Sequence, residues 1–124
     1  MAHAELKALD STDPETGYDL EDFVPANAER FGIEVTAHIG LRGGRGADLF
    51  SIIVCTPQWL SEQSFEKGFL WGAHYLFVTR WDLSVVRRAI TDMCRHTEGP
   101  DWAAIATKLS RYGYWEFEDY RESI

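Results

Sequence analysis

The sequence reads FGIEVTAHIGL at residues 31–41, RGGRG at 42–46, ADLFSIIVC at 47–55 and TPQWL at 56–60. Apolar side chains take every second position of 31–41, which is the period of a strand with one buried face. Residues 49–55 are apolar except Ser51, as in a strand that is covered on both faces. The glycine-rich segment between them predicts a hairpin loop. We expect this hairpin to form the centre of the fold.

A helix over residues 57–67 is predicted directly after the hairpin, because Thr56 suits an N-cap and Pro57 the first helical position. Two more helices are predicted to start after Asp82 and Asp101, each of which precedes apolar residues at helical spacing. The predicted strands outside the hairpin are residues 3–9, 73–81 and 114–120. We therefore expect an α+β fold, a mainly antiparallel sheet of about five strands with three helices packed on one face.

Residues 10–30 show no clear period and contain two prolines and a glycine. An irregular connection of that length is unusual inside a compact domain. We expect this segment to wrap around the fold, pinned by its larger apolar side chains: Tyr18, Leu20, Phe23 and Val24.

Length and composition indicate one soluble domain. The chain has 124 residues, within the usual size of a single domain, so we expect residues 1–124 to form one. It has no run of about 18 apolar residues, as a membrane span requires, and no signal peptide is visible before Leu9. Cys55 and Cys94 lack metal-site spacing and are expected to be reduced thiols. The sequence therefore predicts a cytoplasmic protein without a membrane partner.

The formal net charge of the chain is -8. This excess of carboxylates argues against a nucleic-acid partner, because phosphate backbones are bound by clustered Lys and Arg. The acidic residues crowd the first third of the chain and its end. Such crowding is compatible with solubility alone, but it also suits an acidic face that docks onto a basic partner. Asp19, Glu21 and Asp22 are the candidates in the first cluster.

No pattern in the sequence indicates catalysis or a bound metal. The histidines and cysteines form no HxH, HxxxH or CxxC pattern, and no serine lies in a GxSxG-like motif. The glycine-rich loop lacks the Gly-Lys-Ser/Thr ending of a phosphate-binding loop. We therefore predict no catalytic residue, no metal and no cofactor. An alternative stays open, a small enzyme or ligand-binding domain whose site is assembled only by the fold around His38, His74 or Cys94.

The end of the chain combines aromatic and acidic side chains. A strand here would place four of them on one face, with Asp119 beside them: Tyr114, Glu116, Glu118 and Tyr120. Core packing and solvation would also account for these residues. Tyrosine is enriched at protein interfaces, however, because its rigid, amphipathic ring offers contact area at low entropic cost. The segment is therefore a candidate binding surface.

Three stretches follow one another in a characteristic order: VCTPQWL at 54–60, GAHYLFV at 72–78 and LSRYGYWEFEDY at 109–120. Together with the FGI opening of the hairpin, they resemble the immunity protein 8 family of bacterial polymorphic-toxin systems. The resemblance extends over about residues 31–120. It implies a small cytoplasmic α+β protein that binds a cognate toxin and blocks it, and it implies no catalytic residues.

The resemblance and the acidity together lead to a hypothesis of function, the stoichiometric inhibition of a toxin. The predicted toxin-binding residues are those of the two candidate surfaces: Tyr114, Glu116, Glu118, Asp119, Tyr120, Asp19, Glu21 and Asp22. An acidic inhibitor suits a basic toxin such as a nuclease, because complementary charge accelerates association. The rival hypotheses are the small enzyme or ligand-binding domain and an accessory subunit of a larger complex.

Overall fold

The predicted hairpin lies at the centre of the sheet. The computed structural model of the chain describes residues 1–118. Its strands are β1 (Ala2–Asp10), β2 (Gly32–Leu41), β3 (Asp48–Cys55), β4 (Tyr75–Phe77), β5 (Glu98–Gly99) and β6 (Tyr114–Trp115). Its helices are α1 (Pro57–Ser61), α2 (Leu83–Arg95) and α3 (Trp102–Leu109), and Pro14–Thr16 forms a 3-10 turn.

The described strands form one sheet in the order β4-β3-β2-β1-β5, and β6 also pairs with β3. All of these pairings are antiparallel except that of β3 with β4, whose strands run parallel. The predicted α+β class is confirmed, and the sheet is mixed. A parallel pair needs a connection that crosses over the sheet, which explains the long path of the chain from Thr56 to His74.

The core lies between one face of the sheet and the two longer helices. The core side chains of β2 are at most 1% exposed: Ile33, Val35, Ala37 and Ile39. The buried side chains of α2 and α3 close this core: Val86, Ile90, Cys94, Ile105, Ala106 and Leu109. Burial of each larger apolar side chain contributes about 1.5–3 kcal/mol relative to leaving it exposed.

The three helices begin where the capping residues predict. The side-chain oxygens of Thr56, Asp82 and Asp101 each accept a hydrogen bond from a backbone N–H in the first turn of the helix. These N–H groups have no carbonyl partner within the helix, so each cap satisfies a donor that would otherwise need water. Hydrogen bonds from the Ser84 hydroxyl and backbone N–H hold the pKa of Asp82 below its ordinary value.

Three elements are shorter than the sequence predicts. α1 ends at Ser61 instead of residue 67, β4 covers only 75–77 of 73–81, and β6 covers only 114–115 of the described residues 114–118; residues 119–120 of the predicted strand lie outside the described part of the chain. A left-handed backbone at His74, with φ 67°, separates β4 from the chain before it. A turn closed by a 2.9 Å hydrogen bond from the Glu118 N–H to the Trp115 carbonyl ends β6. Residues 62–74 therefore form an irregular segment, the crossover loop.

Residues 11–30, the acidic loop, wrap the end of the core as predicted. Leu20 is buried, and Phe23 packs edge-on against Trp81 with ring centroids 5.2 Å apart. The Trp81 indole N–H also donates a 3.1 Å hydrogen bond to the Phe23 carbonyl. The other two predicted pins are exposed, so that part of the prediction is wrong: Tyr18 and Val24.

α1 lies across the sheet from α2 and α3. A Cβ atom added to Gly32 would come within 2.4 Å of the Trp59 ring. Because successive strand residues point to opposite faces, Gly32 points away from the core that Ile33 enters. Trp59 therefore covers one end of the other sheet face, and α1 starts the crossover there. The sequence predicts all three helices on one face of the sheet. In the described part of the chain, α2 and α3 share that face and α1 lies on the other.

Candidate functional site

The sheet face opposite α2 and α3 is the candidate site. Directly paired residues of neighbouring strands place their side chains on the same face, so the pairing defines rows across it. Two such rows are Glu34–Ile53–Tyr75 and Asp10–Thr36–Ser51–Tyr114. We call this surface the open face; its residues are Asp10, Glu34, Thr36, His38, Leu49, Ser51, Ile53, Tyr75, Phe77 and Tyr114.

The β4 side of the open face is aromatic. Tyr75 and Phe77 stack with ring centroids 6.0 Å apart, and Phe77 is 51% exposed. His74 connects this side to β6, because its ring packs edge-on against Tyr114 at 5.9 Å. Its Nε2 lies 2.8 Å from the Ser110 carbonyl, and since a carbonyl only accepts, Nε2 is the donor. His74 therefore holds the two short edge strands together.

The crossover loop adds three consecutive large apolar side chains beside β4. Phe69, Leu70 and Trp71 are 59%, 46% and 83% exposed. Large contiguous apolar patches are rare on soluble monomers, and they mark sites of interaction with proteins, membranes or ligands. We call Phe69, Leu70, Trp71, Tyr75 and Phe77 the aromatic patch.

A groove of about 350 Å³ separates the crossover loop from β4. Its large side chains are Leu60, Phe65, Phe69, Leu70, Tyr75 and Phe77. All of them are apolar or aromatic, so the groove has the chemistry to accept an apolar side chain of a partner.

The β1–β2 side of the open face is acidic. Asp10 lies 2.8 Å from Nε2 of His38, and Glu34 is exposed in the next row. Asp13 adds a third carboxylate, whose Oδ2 accepts a 3.1 Å hydrogen bond from the Glu34 N–H. The open face therefore changes from acidic on one side to aromatic on the other.

Three of the predicted toxin-binding residues lie at the aromatic side. Tyr114 belongs to the open face, and the Oε1 atom of Glu116 accepts a 3.0 Å hydrogen bond from the Leu49 N–H. Glu116 thus helps to hold β6 against β3. Glu118 is the last residue of the turn that ends β6, and it is exposed. Two further predicted residues lie outside the described part of the chain: Asp119 and Tyr120.

A shared carboxylate fixes the position of β6. Oδ2 of Asp48 accepts hydrogen bonds from the indole N–H groups of Trp102 at 2.8 Å and Trp115 at 3.0 Å. Trp115 also stacks over Phe50, with an interplanar angle of 12°. These contacts join α3 and β6 to the start of β3, and Tyr114 is directed to the open face as a consequence.

The predicted residues of the acidic loop lie elsewhere. Oε1 of Glu21 accepts a 2.7 Å hydrogen bond from Arg87 on α2, and Oδ1 of Asp19 accepts one from the Asp22 N–H at 3.3 Å. Glu21 lines a cleft with β1, whereas β6 lies beyond β3 in the same sheet. The two predicted groups of residues therefore form separate surfaces.

Of the three residues named for a site assembled by the fold, Cys94 is buried, and His38 and His74 are hydrogen-bonded. Cys94 is 1% exposed, and burial raises the pKa of its thiol to about 12; burial also raises the pKa of Cys55. Both thiols are protonated at neutral pH and are poor nucleophiles.

Within residues 1–118, no group of three or more His, Cys, Asp or Glu side chains could hold a metal ion. No helix in that part of the chain has the length and apolarity needed to cross a membrane.

The exposed residues of the crossover loop were missing from the predicted site. The available signal was a run of three large apolar residues, Phe69 to Trp71, between Gly68 and Gly72. Glycines at both ends favour turns, and the run belongs to no periodic element. Such a run has no predicted burial partner, and this is the property that marks it as a candidate surface.

Comparison with known proteins provides an independent observation. A sequence model of one protein family, immunity protein 8, matches residues 4–120 of the chain. The match includes all three stretches on which the resemblance rests, so the predicted family is confirmed. No curated protein and no solved structure matches the chain significantly.

Proposed function

This chain belongs to the immunity protein 8 family, and we propose that it binds a cognate polymorphic toxin and neutralises it by stoichiometric protein–protein interaction. In this mechanism the chain covers a surface of the toxin and transforms no molecule itself. The proposal includes a cytoplasmic site of action. The free thiols of Cys55 and Cys94 support that site, because disulfides are rare in the reducing cytosol.

The observation that carries the proposal is the aromatic patch beside an acidic half of the same face. Affinity in protein interfaces is concentrated in a few aromatic or Arg side chains near the centre, surrounded by polar residues. Trp71 and Phe77 have the chemistry and the exposure of such anchors. Neutralisation of a lethal protein requires very tight binding, and colicin nucleases bind their immunity proteins at about 10⁻¹³–10⁻¹⁶ M.

The proposed partner is a basic toxin. The chain carries a net charge of -8, and the acidic side of the open face presents Asp10, Asp13 and Glu34. Complementary charge can raise the association rate constant to about 10⁸–10⁹ M⁻¹s⁻¹ at low salt. A nuclease is one class of toxin with the required positive charge. Association should therefore slow as ionic strength rises.

The proposed interface includes the residues predicted at the chain end. Tyr114, Glu116 and Glu118 adjoin the aromatic patch along the same edge of β3, and Asp119 and Tyr120 follow them in the sequence. The remaining predicted residues would form a second contact area on the β1 side: Asp19, Glu21 and Asp22. We propose the aromatic patch as the centre of affinity and the carboxylates as its surroundings.

Co-expression tests the proposal directly. Cells that express the toxin encoded beside this chain should survive when the wild-type chain is present. The double variant Trp71→Ser/Phe77→Ser should bind the toxin more weakly, because each anchor contributes about 2 kcal/mol or more, roughly 30-fold in affinity. Its protection should therefore fail as toxin expression is raised to a level at which the wild-type chain still protects. The matched control is Tyr18→Ser, which removes a 67% exposed aromatic ring from the acidic loop and should still protect.

The outcomes separate the possible interfaces. Failure of the wild-type chain to protect against a demonstrably active toxin would contradict the proposed function. Loss of protection with Tyr18→Ser, combined with full protection by the double variant, would move the affinity centre from the aromatic patch to the acidic loop.

A further inference from the structure

Within the described part of the chain, the backbone groups of two residues of β4 have no hydrogen-bond partner on its outer side. The carbonyl of His74 accepts a hydrogen bond from β3 at 3.0 Å, and the N–H of Val78 donates one to β3 at 2.9 Å. Residues that bond a neighbouring strand alternate along a parallel strand, so the N–H and C=O groups of Tyr75 and Phe77 point away from β3. Within residues 1–118, no strand pairs with that side of β4.

The two edges of the sheet differ in their protection against pairing with another chain. Exposed sheet edges in natural proteins usually carry charges, prolines or bulges that prevent such pairing. The β1 edge has Lys7 at a bulge between Leu6 and Ala8, and Pro100 follows β5. β4 reads Tyr-Leu-Phe and has no charge and no proline. It is therefore the edge that is open to an added strand.

The apolar groove lies beside this unprotected edge. Tyr75 and Phe77 line it from the strand, and Phe65, Phe69 and Leu70 line it from the crossover loop. When a peptide adds a strand to a sheet, main-chain hydrogen bonds supply affinity and pockets for alternate side chains supply specificity. β4 offers both features at one place.

We infer that β4 receives an extended segment of the toxin as an additional strand, with one apolar side chain of that segment in the groove. The inference rests on the proposed function and specifies how the partner is held. β6 continues the same edge of β3, and Glu116 and Glu118 follow it in the chain. The occupant is therefore an extended segment with an apolar residue beside β4 and Lys or Arg at the end nearest β6.

Two substitutions at one position separate backbone recognition from side-chain recognition. Phe77→Pro and Phe77→Ala both remove the ring, but only proline removes the outward N–H, and edge strands tolerate proline at such positions. The probe is a catalytically inactivated form of the toxin domain encoded beside this chain. Strand addition predicts that Phe77→Pro binds this probe about tenfold more weakly than Phe77→Ala, as expected for one lost interfacial hydrogen bond.

Amide hydrogen exchange of the wild-type chain provides a second measurement that does not depend on the folding of a variant. The amides of Tyr75 and Phe77 should exchange rapidly in the free protein and slowly in the complex with the same probe. The amide of Val78 bonds to β3 and should exchange slowly in both states. If Phe77→Pro does not fold, these exchange rates decide the question alone.

Each remaining outcome overturns the inference in a recognisable way. A neutralised complex in which Tyr75 and Phe77 still exchange rapidly, and in which both variants bind equally, would exclude strand addition and leave the proposed function intact. Absence of any complex with the toxin would overturn the proposed function and the inference with it. Slow exchange of both amides in the free protein would overturn the inference, because the edge would already be protected before the toxin binds.

Discussion

The acidic loop and the crossover loop differ in how many of their apolar side chains contact the core. In the acidic loop, Leu20 is buried and Phe23 packs against the core, while Tyr18, Val24 and the carboxylates face solvent. In the crossover loop, Phe69, Leu70 and Trp71 are all exposed, although each is as apolar as the residues that the first loop buries.

The buried side chains of the acidic loop stabilise the fold, whereas the exposed side chains of the crossover loop are available to a partner. Burial of a Leu or Phe side chain contributes about 1.5–3 kcal/mol, so the acidic loop is held by its own contacts with the core. In the free protein, the exposed side chains of the crossover loop do not make this contribution to the free energy of folding. On the proposed function, the toxin covers these side chains, and their burial then contributes to affinity instead of to folding.

The largest expected effect tests whether the acidic loop is held by its buried side chain. Leu20→Ala removes a side chain that is 3% exposed and leaves a cavity, so we expect a loss of about 2–5 kcal/mol in the free energy of unfolding. Urea denaturation followed by circular dichroism measures it. Val24→Ala, at an exposed position of the same loop, is the control and should change stability little. A loss below about 1 kcal/mol for Leu20→Ala would remove the contrast between the loops.

A smaller effect is expected from the hydrogen bond that holds the acidic loop. Trp81→Phe keeps an aromatic ring near Phe23 but removes the indole donor to its carbonyl. We expect a loss of about 1–3 kcal/mol, because the carbonyl then lacks its partner. Thermal unfolding of Trp81→Phe should show a lower midpoint than that of Trp71→Phe, which removes an indole at an exposed position. Equal midpoints would mean that this bond does not hold the loop.

A still smaller effect is expected at the surface of the acidic loop. Glu21→Gln removes the ion pair between Glu21 and Arg87, and both of these side chains are exposed. Such pairs contribute about 0.2–1 kcal/mol, and salt screens them. The difference between wild type and Glu21→Gln in urea denaturation should therefore shrink at high salt. A salt-independent loss would show that Glu21 acts through packing and not through charge.

The smallest effect on stability is expected in the crossover loop. Leu70→Ser replaces a side chain that is 46% exposed, and we expect the free energy of unfolding to stay within about 0.5 kcal/mol of wild type. The same variant should bind the toxin more weakly, as titration calorimetry would measure. A stability loss as large as that of Leu20→Ala would show that the crossover loop is held by the fold after all.

Local patterns were sufficient to predict the framework of the fold. The alternation in 31–41 placed β2, the glycines placed the turn, and Asp82 and Asp101 placed two helix starts, because each signal acts over a few residues. The ends of α1 and β4 were predicted less well. The chain there crosses over the sheet to run parallel to β3, and this requirement comes from the topology and not from the local sequence.

The candidate site was only partly predictable for the same reason. Tyr114 is predictable because it alternates with Trp115 at a strand period, and pairing with β3 turns it to the open face. The exposure of Phe69, Leu70 and Trp71 is not predictable, since an apolar run without a period predicts burial as readily as exposure. Asp48 fixes the position of β6 by accepting hydrogen bonds from two tryptophans that are far from it in the sequence. No local sequence pattern predicts these hydrogen bonds.

The sequence alone determined the family, the α+β class, the central hairpin and the positions at which the helices begin. Tertiary structure alone decided which predicted pins of the acidic loop are buried, with Leu20 inside and Tyr18 exposed. It also decided that, within residues 1–118, Phe69 to Trp71 are exposed and β4 has an unpaired edge. The physical reason is that period, turn and cap preferences are properties of neighbouring residues. Burial and strand pairing depend on which distant segments the completed fold brings to the same place.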